Sequence, residues 1–449
     1  MNRRDLFKLA GKVGLVALAS QVPWSWLERA GLMADYLAEA GTLPQNYRIR
    51  TGTLLCDSQL SALTLNAVSS GDATISVTDN SDTAYIRPSG VSKSLKFDVV
   101  TGGSGFTIWN LDWTINTTLV PIHSLSFAYY TNITTFTNWG IGLLVSETST
   151  YANRYNYSPF TVAPNVARTG WNTATVHRST PSSTTGSPSI TNTFTRVRLQ
   201  LQAPAGQTGT IWIGPIYINY YNRPKIVFSF DDQDASQYAN GYEVLAAHGL
   251  PGSQCIQTGF TGGLTVPQMQ EMHAAGWSFH NHSTDHTNLT TVSVAEATEN
   301  MRTAQDWLDD NGLLYGRSTV VFPNGATNDA VDAAMAGLGY THGAIVRPQL
   351  DKLWDGLEQP RRINRHNTDQ SFSLATLKAR VDDAIKFGGA QVFYSHAILD
   401  GATGSNTERA TYQGLVEYVA RLRDSNVLDV VTLQGLIDGL TNPRRRRVA

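Results

Sequence analysis

The stretch Lys225-Ile226-Val227-Phe228-Ser229-Phe230-Asp231-Asp232, KIVFSFDD, decides the fold. A short run rich in aromatic and β-branched residues, preceded by Pro224 and closed by two carboxylates, reads as a strand buried on both faces, as in a parallel sheet. Helical spacing follows as far as His248, with Gly249 as its stop. Thr265 and Gln268 stand in capping-box relation ahead of a helix that Gly276 ends, and Ser293 with Glu296 repeats the device before ATENMRTAQDWLDDNG. Further strands are predicted at Ser318–Phe322, Gln391–His396 and Val427–Val431. Strand and helix alternate for roughly seven or eight units, which points to a barrel rather than an open sheet. Such a fold displays its chemistry at the carboxyl ends of the strands, so the acids closing KIVFSFDD become site candidates.

Upstream, from about Tyr47 to Tyr221, the chain is rich in Thr, Ser, Asn and Gly and alternates with period two. In LDWTI, Leu111, Trp113 and Ile115 share one side; in RVRLQLQ, Val197, Leu199 and Leu201 oppose Arg196, Arg198, Gln200 and Gln202. These are half-buried antiparallel strands, and many at short intervals predict a β-sandwich or jelly roll. Ser179–Ser189, STPSSTTGSPS, reads as a polar loop. Trp109, Trp139 and Trp171 are read first as core and second as surfaces for stacking on sugar rings.

A length of 449 residues exceeds what one core usually organises, in keeping with two domains. With 34 Lys and Arg against 36 Asp and Glu, the formal charge of −2 provides no attraction for nucleic acid or anionic membrane, and a neutral partner such as sugar fits better. Cys56 and Cys255 lie far apart and read as free buried thiols. The first residues carry Arg3 and Arg4, a mildly apolar stretch to Ala19 and the pattern Ala17-Leu18-Ala19, which resembles a bacterial twin-arginine export signal. Export to the periplasm or the exterior is the expected localisation, with no integral membrane domain after signal removal. The helix-like Trp24–Gly41 is left open as anchor, spacer or packing arm, and Arg444–Arg447 as a solvated basic end.

Three polar clusters end strands in the second half: Asp231 and Asp232, the stretch HNHSTDH from His280 to His286, and His396. Adjacent aspartates after an apolar strand either cap a helix or need a cation to offset their repulsion. His282 and His286, four apart, suit a metal pair. Asp232 with these two histidines makes two nitrogens and one carboxylate, a set typical of catalytic zinc and equally of non-haem iron.

These residues also carry a resemblance. FSFDD, GSQCIQTGF, MQEMHAAGWSFHNHSTDH, VVFPNG and VFYSHA occur in the order and spacing of the polysaccharide deacetylase family, the NodB-like carbohydrate esterases of family 4, over Pro224 to about Leu440. The resemblance implies a distorted (β/α) barrel and removal of acetyl groups from an acetylated polysaccharide, N-acetyl first. It implies Asp231 as general base, Asp232, His282 and His286 as ligands of a divalent metal, with Zn2+ expected, and His396 as general acid. The backbone N–H of Asn324, after Pro323, is a candidate oxyanion donor. The family's third motif commonly carries an arginine that positions the base, where this chain has Val321; Arg362 or Arg365 is the candidate replacement. Gln233 stands where the family has glycine. His280 has no role in the pattern and is read as a polar rim residue or a substrate contact, Asp285 as a turn residue or a partner to the ligands, and His248 and His273 as structural.

The expected organisation is an export signal over 1–30, a helical spacer over 31–46, a β-sandwich and candidate carbohydrate-binding module over 47–222, the deacetylase barrel over 223–442 and a basic tail over 443–449. Three other functions are weighed: a barrel impaired in catalysis that only binds carbohydrate, an O-acetyl polysaccharide esterase, and an iron oxygenase, which the βα grammar disfavours.

Overall fold

The computed structural model describes residues 53–439, apart from 70–73, 88–90, 102–106, 134–138, 159–168, 221, 354–356 and 358. The signal, the spacer, Trp24–Gly41 and Arg444–Arg447 lie outside the described residues. Two architectures follow one another, and both belong to one compact unit spanning Arg48–Ala449.

The first is a pair of antiparallel sheets. One contains Ser94–Val100, Ser124–Thr131, Gly170–His177 and Thr208–Ile213; the other contains Thr107–Thr118, Gly140–Ser146 and Thr193–Ala203. Their inner faces share a core in which Phe97, Phe127 and Ile211 of one sheet join Leu111, Leu143 and Leu199 of the other. The period-two alternation predicted this. Leu111, Trp113, Ile115, Val197, Leu199 and Leu201 are all buried, while Arg198 on the opposite face pairs with Asp112 at 2.6 Å. One expectation is corrected: the polar run Ser179–Ser189 contains an edge strand, Ser183–Thr185, paired with Arg154–Asn156. Edge pairing needs only backbone donors and acceptors, so a segment without apolar side chains can join a sheet. Trp139 is core and Trp171 is half-buried against Arg87, 4.6 Å from its ring centroid; the side chain of Trp109 lies outside the described residues.

The second is a closed parallel barrel of seven strands: β1 Lys225–Asp231, β2 Ser253–Ile256, β3 Ser278–Asn281, β4 Thr319–Val321, β5 His342–Val346, β6 Ile363–Asn367 and β7 Gly389–Ser395, with β7 pairing back onto β1. Every residue of β1 is buried, as its composition predicted. Both capping boxes form, at Val266–Ala274 and Val294–Asp310. The last predicted strand differs: only Asp429–Val430 pairs, and it lies beside the start of β1 outside the ring. The helix Leu433–Ile437 then closes the bottom, its Leu433 and Leu436 packing with Val227 and Val392. Access is left at the carboxyl-end rim.

The sandwich is tied to the barrel by Gln359, whose side-chain amide donates to the Thr169 and Trp171 carbonyls at 2.9 and 3.0 Å. Both cysteines are free and buried. Among the described residues no helix is long and apolar enough to cross a membrane.

Candidate metal centre

Strand β1 delivers Asp231 into the barrel, and the chain then bends sharply, with Asp232 at φ 66° and Gln233 at φ 40°. Left-handed backbone at residues other than glycine costs on the order of 1–3 kcal/mol each and collects where function demands it. Eight such residues are described, and five of them, Asp232, Gln233, Ser283, His286 and Asn324, stand in the turns that follow β1, β3 and β4. The bend sends Asp232 toward the rim while Asp231 stays buried below it.

The histidine turn is built by its own polar residues. Asn281 anchors it to the outside, donating to the Met301 carbonyl at 2.8 Å and accepting the Ser283 N–H at 2.8 Å. Ser283 Oγ accepts the His286 N–H at 2.9 Å, and Asp285 accepts from Thr287 N–H and Asn300 Nδ2 at 3.0 and 2.7 Å. His282 and His286 therefore meet through a bend with two left-handed residues, rather than through the helical turn that their spacing suggested.

The side chains of Asp232, His282 and His286 each present one ligand atom, all within 4.8 Å of one another. His282 Nδ1 lies 2.6 Å from the Val321 carbonyl, so it carries the proton and leaves Nε2 as a lone-pair donor. Burial pushes this imidazole below its ordinary pKa, which favours the neutral form a metal requires. His282 Nε2 and His286 Nε2 stand 3.6 and 3.7 Å from Asp232 Oδ1, too far for hydrogen bonds. Asp232 Oδ1 itself is buried with no hydrogen-bond partner. An orphaned carboxylate oxygen facing two imidazole nitrogens fits a divalent cation between them.

Asp231 sits beneath, its Oδ2 3.8 Å from His282 Nε2. Arg365, on β6 and only 1% exposed, donates from Nη1 to both oxygens of Asp231, at 2.7 and 2.9 Å. Its guanidinium lies over the Tyr394 ring, 4.5 Å from the centroid. Burial favours the protonated carboxyl, but the Arg365 guanidinium outweighs it and holds Asp231 well below the usual carboxylate range. His396, just beyond β7, places Nε2 3.7 Å from Asp232 Oδ2, with Nδ1 3.3 Å from the Ser405 carbonyl. Pro323-Asn324-Gly325 forms a single turn after β4, with Pro323 buried and Asn324 exposed.

Two candidates lie elsewhere. His280 is not on the rim and cannot touch substrate: it is fully buried, with its ring nitrogens 2.8 Å from Ser278 Oγ and 3.0 Å from the Gly316 carbonyl. Arg362 points away from the barrel interior and pairs with Asp332 and Asp329 at 2.9 and 3.5 Å. Position along the chain decides between the two arginines: Arg365 lies within β6 on the face it shares with Ile363, whereas Arg362 sits in the turn just before the strand. Gln233 was legible only as an oddity. Its buried side chain pairs like a strand with the backbone of Gln257, donating to the carbonyl at 2.6 Å and accepting the N–H at 2.9 Å.

Residues 219–343 match the polysaccharide deacetylase family. They form a polysaccharide deacetylase domain. The match covers Asp231, Asp232 and the histidine turn and ends within β5, so Arg365 and His396 lie beyond it. A poly-β-1,6-N-acetyl-D-glucosamine N-deacetylase of Staphylococcus aureus is 25% identical over 126 residues, 24% of this chain and 43% of that protein. The chain thus spans less than half the length of that relative. Among solved structures, a family 4 carbohydrate esterase from Streptomyces lividans in complex with acetate is 17% identical, covering 46% of this chain and 90% of that one at a TM-score of 0.33. A family 4 pseudoenzyme from Bacillus anthracis is 14% identical, covering 49% and 67% at a TM-score of 0.35.

Proposed function

We propose that this protein is a metal-dependent hydrolase that removes N-acetyl groups from an N-acetylglucosamine polymer. The observation that carries the proposal is the buried Arg365–Asp231 pair directly beneath the Asp232-His282-His286 cluster. A divalent ion held by that cluster, zinc in this proposal, would acidify the attacking water and polarise the acyl oxygen, chemistry that a carboxylate as weakly basic as Asp231 needs.

The chain's own groups then have distinct tasks. Arg365 keeps Asp231 ionised and fixes the plane of its carboxylate, so that Oδ2, on the side of His282, accepts the proton of the attacking water. His396 reaches the same cluster from the end of β7, the strand beside β1, with Nε2 turned inward, and in its protonated form delivers a proton to the departing amine nitrogen. The Asn324 N–H, in its left-handed turn beside the Val321 carbonyl that orients His282, is the proposed donor to the developing oxyanion. Export remains part of the proposal on the strength of Arg3, Arg4 and the apolar stretch that follows.

A barrel impaired in catalysis is the reading that Val321 would favour, since it stands where the base-positioning arginine is usual. Arg365 provides a guanidinium to Asp231 from a different strand, which supports the catalytic reading instead. The test is acetate release by metal-loaded protein from β-1,6 and β-1,4 N-acetylglucosamine polymers, peptidoglycan and O-acetylated xylan, with metal content determined on the same sample. Release from the N-acetylglucosamine polymers that Asp231→Asn abolishes while retaining the metal is expected. Release from xylan alone would make the protein an O-acetyl esterase, and no release from any polymer would overturn the proposal.

A further inference from the structure

The loop Gln257-Thr258-Gly259-Phe260-Thr261-Gly262-Gly263-Leu264 follows β2 and lies between the two ligand-bearing turns. On one side Thr258 and Gly259 donate their N–H groups to the Ser283 and Thr284 carbonyls, at 3.1 and 2.7 Å. On the other, the Gln233 side chain holds Gln257, and Leu264 N–H donates to the Gln233 carbonyl at 2.8 Å. The glycines are demanded by these approaches: a Cβ on Gly259 would lie 2.6 Å from the Thr284 carbonyl oxygen, and one on Gly263 2.1 Å from that of Gln233. The loop is thus pinned to both halves of the metal cluster.

This pinned loop presents an aromatic ring to solvent. Phe260 is 48% exposed, and its ring edge rests on Gly262 and Gly263, where a Cβ would meet it at 3.1 and 3.3 Å. A single exposed apolar side chain is ordinary. The barrel's pattern is not random, however. Among its described residues the exposed large apolar side chains are Phe260, Val294, Leu314, Val346 and Leu399. Leu314 precedes a strand; Phe260, Val294 and Leu399 lie in the connections that follow β2, β3 and β7, and Val346 is the last residue of β5. Phe260 is the aromatic member, and it is carried by the segment that joins the ligand turns.

We propose that Phe260 is a stacking platform for the glycan: its ring receives the apolar C–H face of a pyranose flanking the unit whose acetyl group is removed, in a β-linked N-acetylglucosamine chain. The inference rests on the deacetylase reading for the identity of the chain. Pinning the loop in advance spares the binding step the entropy of ordering it. Gln233, where the family has glycine, is the positioning residue that fixes the platform.

The test measures binding apart from turnover. β-1,6 and β-1,4 N-acetylglucosamine pentamers are titrated calorimetrically into wild-type, Phe260→Ala and Phe260→Trp protein, metal-loaded, with acetate and metal content followed in the same samples. Losing about half of a phenylalanine's burial corresponds to roughly tenfold weaker pentamer binding for Phe260→Ala, with Phe260→Trp restoring it. Equal binding by wild-type and Phe260→Ala overturns the platform whether or not acetate appears, and so does failure of the wild type to bind either pentamer. Pentamer binding that depends on Phe260 without acetate release would overturn the catalytic reading and keep the platform.

Discussion

Replacing Arg365 by methionine removes the guanidinium from a carboxylate that is only 2% exposed and accepts bonds of 2.7 and 2.9 Å from it. Breaking a buried pair by deleting one partner costs about 3–5 kcal/mol, because the remaining charge is left without compensation. The full cost is expected in metal-free protein; with metal bound, the cation offsets part of the charge and the loss is smaller. Catalysis should suffer separately. Without Nη1 bridging its two oxygens, Asp231 loses its fixed plane, and a displacement of about 1 Å in such a group costs on the order of a hundredfold in kcat. KM should change little, since Arg365 is buried under the site. Denaturant unfolding of Arg365→Met, Asp231→Asn and the double variant, each with and without metal, measures the coupling, and steady-state acetate release measures the catalytic effect. The double variant should recover most of the stability, because a neutral amide needs no counter-charge. A metal-free loss below about 1 kcal/mol, the range of exposed pairs, would refute the reasoning, as would independent, additive effects of the two substitutions.

Chelation should lower the thermal midpoint and a divalent ion restore it, by about 2.7 kcal/mol at a hundredfold excess over its Kd, while Asp232→Asn abolishes the response in scanning calorimetry. An unchanged midpoint with every divalent ion tried would remove the metal site. Gln233→Ala should raise hydrogen exchange across Gln257–Leu264 above that of the neighbouring β2 amides, because both side-chain bonds to Gln257 are lost. His177 is lowered to about 4 by burial first and by Lys386 of the helix Leu374–Phe387 second. Between pH 6.5 and about 4 the unfolded chain binds a proton that the folded chain refuses, so this contribution is fully present above 6.5 and is lost as pH falls through the window. His177→Asn should flatten the stability profile there; an identical slope would exclude His177 as its source.

Periodicity is a local property, and it determined a good deal by itself. The alternation in LDWTI and RVRLQLQ announced the sandwich, the apolar run of β1 announced a doubly buried strand, and the pairs Thr265 with Gln268 and Ser293 with Glu296 announced helix starts that form as read. The acids and histidines of the metal cluster were legible too, since each closes a strand of a barrel that gathers strand ends on one rim. Pairing across the barrel was not legible. Whether Arg362 or Arg365 meets Asp231 depends on where β6 begins and which of its faces turns inward, and Arg362 falls in the turn before the strand. His280 has the same residue type as His282 and lies two positions earlier, within β3 rather than in the turn after it, yet it is sealed between Ser278 and Gly316 because depth along the barrel, not composition, separates rim from interior. Gln233 marked a departure whose purpose became visible only with Gln257 across the turn from it. Sequence determined which elements form and which chemical groups they carry; tertiary structure decided which of those groups share a site, because that depends on distances between residues that lie far apart along the chain.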